Sequence, residues 1–520
     1  MKKFVLIFTL ILMASFAKAY DIEINGIYYD VVPKAKIATV VIGKEHYSGE
    51  VTIPETIEYE GVTCTVTSLS NAVFRECDVT KVWLPDGITE INYTAFENCS
   101  NLEYVRLPAK LEKIGIRAFC NCSTLTSLDL PSSLKEIGNR AFWNCYALAN
   151  ITLPDNIETL EDGVFYNCNS ITSIHIPKAL TVIPKEAFLG CKFDVVEIHN
   201  GIRAIYDQAF TGTKIKSIVI PETVTELGSG VFAGCEDLVD VKLPDNMKAI
   251  PRSLFNGCKN LKEIQIPKGV TSIGEYAFSD TGFDNIEMIP EGITYLHYVF
   301  SKCKNLTTLT IPEGKLFGVG EFMDCENLHT VILPASVQFV NGSTFENCTA
   351  LKEINFEYLT TISHWAFRGC TGLVSIDLPL VEELGVGVFI GCSGLKTISL
   401  GSHIKRFLGY SVFEKCENLE DFYCYAETPP EIPEGDRYTI FRDSYVEYAT
   451  LHVPESAIEA YRSASPWKDF GNIVAIEGDG IEEVKASSSA DSPYYSLGGV
   501  RTTQPKRGLY IKDGKKVIMK

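Results

Sequence analysis

Residues 119–142 read FCNCSTLTSLDLPSSLKEIGNRAF, and this stretch decides the fold of the chain. Leu128 and Leu130 alternate with polar residues, as in a short strand with one buried face. Pro131 ends that strand, because proline cannot donate a hydrogen bond to a β-ladder. Ile137 marks a second short apolar segment before the next Ala-Phe pair completes the unit. One such unit cannot bury a core by itself, so the pattern predicts a structure built from repeats.

The same unit recurs along most of the chain. Its anchor is a phenylalanine that returns every 22 to 24 residues, at positions 74, 96, 119, 142, 165, 188, 210, 232, 255, 278, 300, 322, 345, 367, 389 and 413. In fourteen of these sixteen copies, a cysteine follows three residues after the phenylalanine. Representative pairs are Phe142 and Cys145, Phe165 and Cys168, Phe255 and Cys258, and Phe345 and Cys348. Stacked coils would share a core, so the period predicts a β-rich solenoid.

One copy, Leu261–Phe278, reads LKEIQIPKGVTSIGEYAF. It resembles the repeat of the BspA-type leucine-rich repeat family position by position, and the resemblance extends over about residues 60–425. The resemblance implies a leucine-rich repeat array of about sixteen coils with N- and C-terminal caps. It also implies adhesion, because proteins of this family attach to host matrix proteins such as fibronectin and fibrinogen, or to other bacteria. The family further implies a secreted or surface protein of an anaerobic Gram-negative bacterium.

The flanks of the array carry signals of their own. The basic start Met1-Lys2-Lys3, the apolar run 4–16 and Ala17-Lys18-Ala19 have the three parts of a secretory signal peptide, which predicts export to the medium or the outer cell surface. Caps are needed because an open solenoid end exposes core and an unpaired strand edge. We predict a signal peptide 1–19, an N-terminal β cap 20–69, repeats 70–425, a C-terminal cap 426–478, a linker 479–493 and a basic β-hairpin tail 494–520. The tail is similar to shortened type IX sorting domains.

The charge of the chain excludes two classes of partner. The formal net charge is −19, with +3 from residues 1–19 and +6 from residues 494–520, which leaves −28 on residues 20–493. A body this acidic repels phosphate backbones and anionic lipid headgroups. We therefore predict no nucleic-acid partner and no lipid-surface binding by the acidic body.

Seventeen cysteines in an exported chain would ordinarily indicate disulfides. Fourteen of them share one repeat position, and they should stack about 4.8 Å apart with parallel Cβ vectors, which disfavours bridging. We predict buried free thiols that fill space and act as weak donors. Thr213 and Thr281 replace the cysteine in two copies, each followed by a shorter turn, which indicates that a compact donor is needed. Cys64, Cys120 and Cys424 are not explained by the repeat.

Outward positions of the main strand supply the candidate ligand-binding residues. In the predicted register they form two polar columns along the array. The candidates are Tyr104, Arg106, Asp129, His175, Glu197, His199, Asp240, Lys242, Glu263 and Glu287. His175 and His199 are predicted at equivalent positions of adjacent coils, where with Glu197 they could bind a metal or titrate together. Two stacked exposed histidines are more often incidental, so no metal site is predicted.

No motif in the sequence indicates catalysis. We find no G-x-S-x-G, H-E-x-x-H, P-loop or dinucleotide fingerprint, and we predict no enzyme activity, no catalytic residue and no cofactor. The sequence predicts a secreted or cell-surface binding protein whose ligand is a protein, such as host extracellular matrix or another cell surface. The alternative is a polysaccharide-capturing or carbohydrate-active surface protein. Glycan-binding grooves need aromatic platforms, and the outward columns hold only Tyr104 and Tyr423.

Overall fold

The computed structural model describes residues 20–290, 293, 296–433, 435 and 439–476, together with four strands within residues 494–519. The predicted signal peptide 1–19 and the predicted linker 479–493 lie outside the described residues. The chain divides into two compact units, Met1–Val270 and Thr271–Lys520. Each unit contains stacked coils whose strands run parallel from one coil to the next, so the predicted β-solenoid is confirmed.

Most strands of the first unit are short, because each coil turns again after a few residues. They are β1 Ile22–Ile24, β2 Ile27–Val32, β3 Ile37–Val40, β4 Ser48–Thr52, β5 Thr56–Tyr59, β6 Val62–Leu69, β7 Asp78–Trp83, β8 Glu90–Ile91, β9 Tyr104–Arg106, β10 Lys113–Ile114, β11 Ser127–Leu128, β12 Glu136–Ile137, β13 Asn150–Ile151, β14 Thr159–Leu160, β15 Val182–Ile183, β16 Ala204–Ile205, β17 Ser217–Val219, β18 Glu226–Leu227, β19 Asp240–Lys242 and β20 Ala249–Ile250. A 3-10 helix spans Pro33–Ala35.

The N-terminal cap is a five-stranded sheet in the order β1-β2-β3-β6-β5. The pairs β1–β2 and β5–β6 are antiparallel hairpins, as the sequence predicts for this segment. β4 differs, because it pairs in parallel with β7, and β7 pairs in parallel with β9. The parallel ladder therefore begins at Ser48, inside the segment assigned to the cap. Tyr47 packs with its ring 4.9 Å from that of Phe74 and so takes the place of a preceding anchor.

The short strands of the coils fall into two sets of parallel ladders. One ladder contains β8, β10, β12 and β14, and it places Glu90, Lys113 and Glu136 side by side at successive coils. The other ladder contains the main strands, such as β17 and β19, in which Ser217 lies beside Asp240. The inward residues of both ladders are apolar and buried, which explains the periodic leucine and isoleucine of the repeat.

The anchor phenylalanines stack inside each unit. In the first unit the rings of Phe119, Phe142 and Phe165 lie 5.4 and 5.3 Å apart at interplanar angles of 3° and 2°. Phe255 stacks in the same way, as does Phe345 in the second unit. All five side chains are fully buried. Burial of one such ring contributes about 1.5–3 kcal/mol, so the stability of each unit is spread along its length.

Two positions in each coil have a left-handed backbone, and the sequence analysis predicted neither. One is two residues before the anchor phenylalanine, and the other directly precedes the repeat cysteine. Asn98, Asn121, Asn144 and Asn167 hold the second position with φ of 59–63°, and Gly190 follows them. Asparagine and glycine adopt this conformation at the lowest cost. The four amides also form a ladder with Nδ2–Oδ1 distances of 2.7, 3.0 and 3.1 Å.

All seventeen cysteines are free and buried, so the thiol prediction agrees with the structure. The Cys145 Sγ lies 3.1 Å from the carbonyl oxygen of Phe119, and the Cys168 Sγ lies 3.1 Å from that of Phe142. Cys258 and Cys348 make the same contact. Each thiol thus donates to the anchor of the preceding coil. Burial raises the pKa of these thiols, which disfavours the thiolate that disulfide chemistry requires.

The residues that replace cysteine three positions after the anchor phenylalanine also act as hydrogen-bond donors. Thr213 Oγ1 lies 2.9 Å from the Phe210 carbonyl oxygen, and Thr281 makes the equivalent contact at 2.7 Å in the second unit. The threonines therefore donate to the anchor of their own coil. Ser444, which the repeat pattern did not reveal, donates to the Phe413 carbonyl of the preceding coil. Cysteine, threonine and serine all supply one small donor at this position.

The three remaining cysteines have individual surroundings. Cys64 is an inward residue of β6 and is fully buried. Cys120 follows Phe119 directly, and its Sγ lies 4.0 Å from the Arg117 guanidinium. Cys424 accepts a hydrogen bond from the Tyr461 hydroxyl at 3.2 Å. None of the three lies three residues after an anchor phenylalanine, so none belongs to the stacked set of repeat cysteines.

The strands of the second unit are β21 Ser272–Ile273, β22 Thr308–Thr310, β23 Thr330–Ile332, β24 Phe339–Val340, β25 Glu353–Ile354, β26 Thr361–Ile362, β27 Ser375–Leu378, β28 Glu383–Leu384, β29 Thr397–Leu400, β30 Arg406–Phe407, β31 Asp421–Cys424, β32 Thr450–Val453, β33 Asn472–Ala475, β34 Tyr494–Ser496, β35 Arg501–Thr502, β36 Gly508–Lys512 and β37 Lys515–Met519. The helix α1 spans Ile458–Ser463, and 3-10 helices span Val446–Tyr448, Glu455–Ala457 and Trp467–Asp469.

The C-terminal cap continues the main ladder in the order β27-β29-β31-β32-β33. The helix α1 lies in this cap and buries Tyr461. Trp467 closes the core, with its ring 5.6 Å from both Phe422 and Phe441. Phe441 is a further member of the phenylalanine stack, 5.7 Å from Phe413. The sequence pattern missed Phe441 because a gap of 28 residues separates these two anchors.

The basic tail forms an antiparallel sheet in the order β35-β34-β36-β37. β36 and β37 pair in antiparallel fashion from Gly508 and Met519 to Lys512 and Lys515. Asp513 and Gly514, between β36 and β37 in the sequence, lie outside the described residues.

One coil of the second unit has charged residues at two positions that are buried in the repeat. Lys315 takes the buried position held by Leu359 two coils later, and Glu321 takes the position of Ala366. The Lys315 Nζ lies 3.0 Å from Glu321 Oε1, and the two side chains are 6% and 0% exposed. The Gly318 N–H donates to the other carboxylate oxygen at 3.0 Å. Burial raises the pKa of Glu321 to about 7. A buried ion pair thus replaces a leucine and an alanine.

Candidate ligand-binding face

The strand face of the first unit consists of the exposed side chains on β4, β7, β9, β11, β13, β17 and β19 and on the matching segments of the intervening coils. Side chains alternate along each strand, so Ile218 is buried while Ser217 and Val219 face solvent. The parallel register places equivalent residues of adjacent coils side by side, as with Lys81 and Tyr104. The result is a continuous row of exposed side chains.

Most of the predicted candidates lie on this strand face. Tyr104 and Arg106 are exposed on β9, and Asp240 and Lys242 are exposed on β19. The exposed candidates on neighbouring coil segments are Asp129, His175, Glu197 and Glu263. These residues are spread over several coils, so they form an extended surface.

His199 is not part of the strand face. Its carbonyl accepts the Ile202 N–H at 3.1 Å, just as the Pro177 carbonyl accepts the Leu180 N–H at 3.1 Å in the preceding coil. His199 therefore occupies the turn position that proline takes in other coils. The predicted register is wrong here, and Glu197 is the counterpart of His175.

The cause of the wrong register is a shorter coil. Phe193 follows Cys191 by two residues, whereas the equivalent core residue follows the cysteine by three in most coils. The same observation corrects the expectation drawn from Thr213 and Thr281. Turn length does not select threonine over cysteine, because Cys191 is followed by an equally short turn.

The two histidines have separate partners. His199 Nδ1 accepts the Gly201 N–H at 3.0 Å, and its Nε2 lies 2.9 Å from a backbone carbonyl oxygen of the preceding coil. His175 Nε2 instead lies 2.7 Å from Asp155 Oδ1. Lys178 and His175 together hold the pKa of Asp155 well below its usual range. Within the described ranges, no group of three or more His, Cys, Asp or Glu side chains is arranged to hold a metal ion.

Glu287, in the second unit, lies in a turn and not on a strand. The Ile289 N–H donates to the Ile286 carbonyl at 3.2 Å, and the Glu287 N–H donates to Asn285 Oδ1 at 3.1 Å. The predicted strand position is wrong because this coil has one extra residue. Pro290 follows the buried Ile286 by four residues, where most coils have three.

Charged residues on the face are paired between coils. Lys81 contacts Glu50 at 2.8 Å, and Arg106 contacts Asp86 at 3.0 Å. Exposed pairs of this kind contribute about 0–1 kcal/mol each. They therefore fix side-chain positions more than they stabilise the fold.

The strand face also contains residues that the sequence analysis missed. Trp83 lies at the end of β7 beside Arg106, and its ring centroid is 5.9 Å from that of Tyr104. Val195 and Val219 are 69% and 59% exposed. A sequence signal for Trp83 exists, because it directly precedes a Leu-Pro pair as Arg106 does.

The main strands of the second unit carry one notable cluster. The rings of Tyr423 and His452 stack at 4.2 Å with an interplanar angle of 10°. The His452 Nε2 lies 2.7 Å from Asp421 Oδ1. The imidazole therefore covers one face of Tyr423, which leaves that ring a smaller free surface than the sequence implied.

The helices of the described residues are short. None of them has the length and apolar content that a bilayer crossing requires.

A family model described as "BspA type Leucine rich repeat region (6 copies)" matches residues 67–194, 181–307 and 296–420. These ranges together cover more than half of the chain. Among curated proteins, none matches the sequence.

Several solved structures are similar to the chain. A leucine-rich repeat protein from Bacteroides ovatus is 28% identical over 84% of this chain and 100% of that one, with a TM-score of 0.48. A leucine rich cell surface protein from Faecalibacterium prausnitzii is 22% identical over 81% of this chain and 98% of that one, with a TM-score of 0.42. A leucine-rich repeat protein from Eubacterium ventriosum is 21% identical over 66% of this chain and 92% of that one, with a TM-score of 0.34.

Proposed function

Because the chain belongs to the BspA-type leucine-rich repeat family, we propose that it is an adhesion protein whose strand face binds a protein of the host extracellular matrix or of another cell surface. Repeat arrays present extended surfaces suited to binding. We propose no enzymatic activity.

The observation that carries the proposal is the strand face itself. Tyr104, Arg106, Asp240 and Lys242 are exposed on rigid strands, each beside its counterpart in the adjacent coil. Such a surface loses little conformational freedom on binding, so many weak contacts can add up to a useful affinity. The charge of −28 on residues 20–493 favours a basic patch on the partner.

The proposed location is the outer cell surface or the medium. The sequence of residues 1–19 supports export. One similar structure belongs to a protein described as a leucine rich cell surface protein. The basic tail from Tyr494 onward would serve as a sorting or attachment signal.

A glycan is the second candidate ligand. The observation that favours a glycan is the Trp83 ring, which lies beside the Tyr104 ring at the same end of the strand face. Two aromatic side chains at one place offer a larger apolar surface than the sequence predicted.

A binding screen with matched variants tests the proposal. The purified chain is passed over immobilised fibronectin, fibrinogen and polysaccharides in biolayer interferometry. The face variant is Asp240→Ala, Lys242→Ala and Glu263→Ala. The control variant, Glu112→Ala, Lys135→Ala and Glu158→Ala, removes the same charges from exposed positions beside the other ladder.

We expect binding to a matrix protein that the face variant weakens about ten-fold or more and that the control variant leaves unchanged. Binding to polysaccharide alone would favour the glycan candidate. Equal loss in both variants would contradict a role for the strand face.

A further inference from the structure

We propose that the N-terminal end of the strand face, at Trp83, Tyr104 and Arg106, is the anchor point for the protein ligand, and that its two aromatic rings receive a lysine or arginine side chain of that ligand. The inference rests on the proposed function and names the place and the chemistry of the contact.

The geometry gathers these three side chains at one place. In the register of β7 and β9, Lys81 lies beside Tyr104 and Trp83 lies beside Arg106. The Trp83 and Tyr104 rings are 5.9 Å apart and tilted by 53°. Tyr104 is exposed and Trp83 is half-buried, so each ring is held by the sheet and still reaches solvent.

The composition of this end differs from that of the rest of the strand face. Farther along the unit, the same columns hold no tryptophan, tyrosine or phenylalanine. They consist mostly of small or polar residues such as Ser127, Asn150 and Ser217, with Val195 and Val219 as exposed apolar exceptions. Tryptophan, tyrosine and arginine are the residues most enriched at the energetic centres of protein interfaces. Aromatic side chains on strands also lose little entropy when a ligand binds.

Charge selects a cationic side chain as the occupant. Lys81 contacts Glu50 and lies near Glu103. Arg106 contacts Asp86. Asp129 takes the position of Arg106 in the next coil, so this end of the strand face carries two cations and four carboxylates. An incoming lysine or arginine meets aromatic faces and unneutralised carboxylates, the combination that attracts cations.

The test compares two double variants on the matrix protein that the unmodified chain binds, fibronectin or fibrinogen. Trp83→Ala with Tyr104→Ala removes both rings. The control, Trp365→Ala with Tyr410→Ala, removes two exposed aromatic rings of the second unit that lie off its main strands. Trp83→Phe with Tyr104→Phe keeps aromatic faces and guards against a folding defect, and circular dichroism confirms that all variants fold.

We expect the dissociation constant to rise ten-fold or more for the alanine variant, to change less than three-fold for the control, and to be largely restored by the phenylalanine variant. Acetylation of the lysines of the matrix protein, with phenylglyoxal modification of its arginines, should weaken its binding to the natural chain by a similar factor. The same treatment should have little further effect on its binding to the alanine variant.

Other outcomes separate the two claims. If the chain binds and the alanine variant binds equally well, the anchor inference is wrong while the proposed function stands. If modification of the matrix protein weakens its binding to the natural chain and to the alanine variant by the same factor, the rings do not receive the cation. If the chain binds neither matrix protein, the proposed function and the inference both fail.

Discussion

The buried pair Lys315–Glu321 predicts an unusual response to mutation. Replacement of both residues by the types found in other coils, Lys315→Leu with Glu321→Ala, should stabilise the protein. Each single replacement should destabilise it, because it leaves one buried charge without its partner. Leu359 and Ala366 show that the repeat accommodates this leucine–alanine combination in the same unit.

The magnitude follows from burial and distance. The two charges are 3.0 Å apart and 6% and 0% exposed, so both have lost nearly all hydration. The attraction between buried charges often fails to offset desolvation, and a well-packed apolar replacement is neutral or stabilising by about 1–4 kcal/mol. Removal of one partner from a buried pair costs about 3–5 kcal/mol.

The assay is hydrogen exchange by mass spectrometry on peptides covering residues 300–370, which reports the free energy of local opening at both the ion pair and the control position. We expect slower exchange in the double variant and faster exchange in both single variants. The matched control is Leu359→Ala in the same unit, which should cost about 2–5 kcal/mol through a cavity. If the double variant is less stable than either single variant, the pair stabilises the coil and the reasoning is refuted.

Three further predictions follow from the same structure. Burial raises the pKa of Glu321 from 4.5 to about 7, so the folded protein binds a proton on this carboxyl group more tightly than the unfolded chain does. Proton binding at Glu321 therefore stabilises the fold fully below pH 4.5, and this stabilisation is lost as the pH rises through 7. The difference in denaturant midpoint between the natural chain and the double variant should therefore widen from pH 5 to pH 8, and a constant difference would contradict the assignment. All seventeen thiols should resist a water-soluble thiol reagent in the folded protein and react after unreduced denaturation; a titration that finds few thiols would show disulfides. Asn144→Gly and Asn144→Val both lose the amide ladder, but only valine is strained in the left-handed position that Gly190 also holds. The thermal midpoint should therefore fall further for Asn144→Val than for Asn144→Gly, and equal effects would refute the backbone argument.

The sequence predicted the repeating features well, because they are imposed by a core that every coil shares. Phe142 and Cys145 are buried as expected, and the strand carrying Tyr104 and Arg106 exposes both. An apolar residue that recurs at a fixed period stacks on its counterpart in the next coil, so its burial follows from the period together with its residue type.

The failures occur where the length of a coil changes. His199 and Glu287 are predicted on strands, and each lies in a turn. The coil of His199 has one residue fewer before that point, and the coil of Glu287 has one residue more between Ile286 and Pro290. Phe441 was missed for the same reason. Spacing from the preceding anchor does not show which turn absorbs an insertion, whereas backbone hydrogen bonds do.

Side-chain geometry was a second limit. Lys315 and Glu321 stand at apolar positions of the repeat, so the sequence marks both as exceptions, but only the structure shows that they meet. Trp83 and Tyr104 belong to different coils, and their proximity depends on the register between β7 and β9.

The central claim is that ligands bind to the strand face, and site-directed blocking tests it most directly. All natural cysteines are buried, so one introduced exposed cysteine can be labelled selectively with a polyethylene glycol maleimide. Ser217→Cys places the label on the strand face, and Tyr146→Cys places it next to the buried cysteine column, away from the main strands. The label at position 217 should abolish binding to the matrix protein, and the label at position 146 should leave it unchanged. Normal binding with the label at position 217 would contradict the claim.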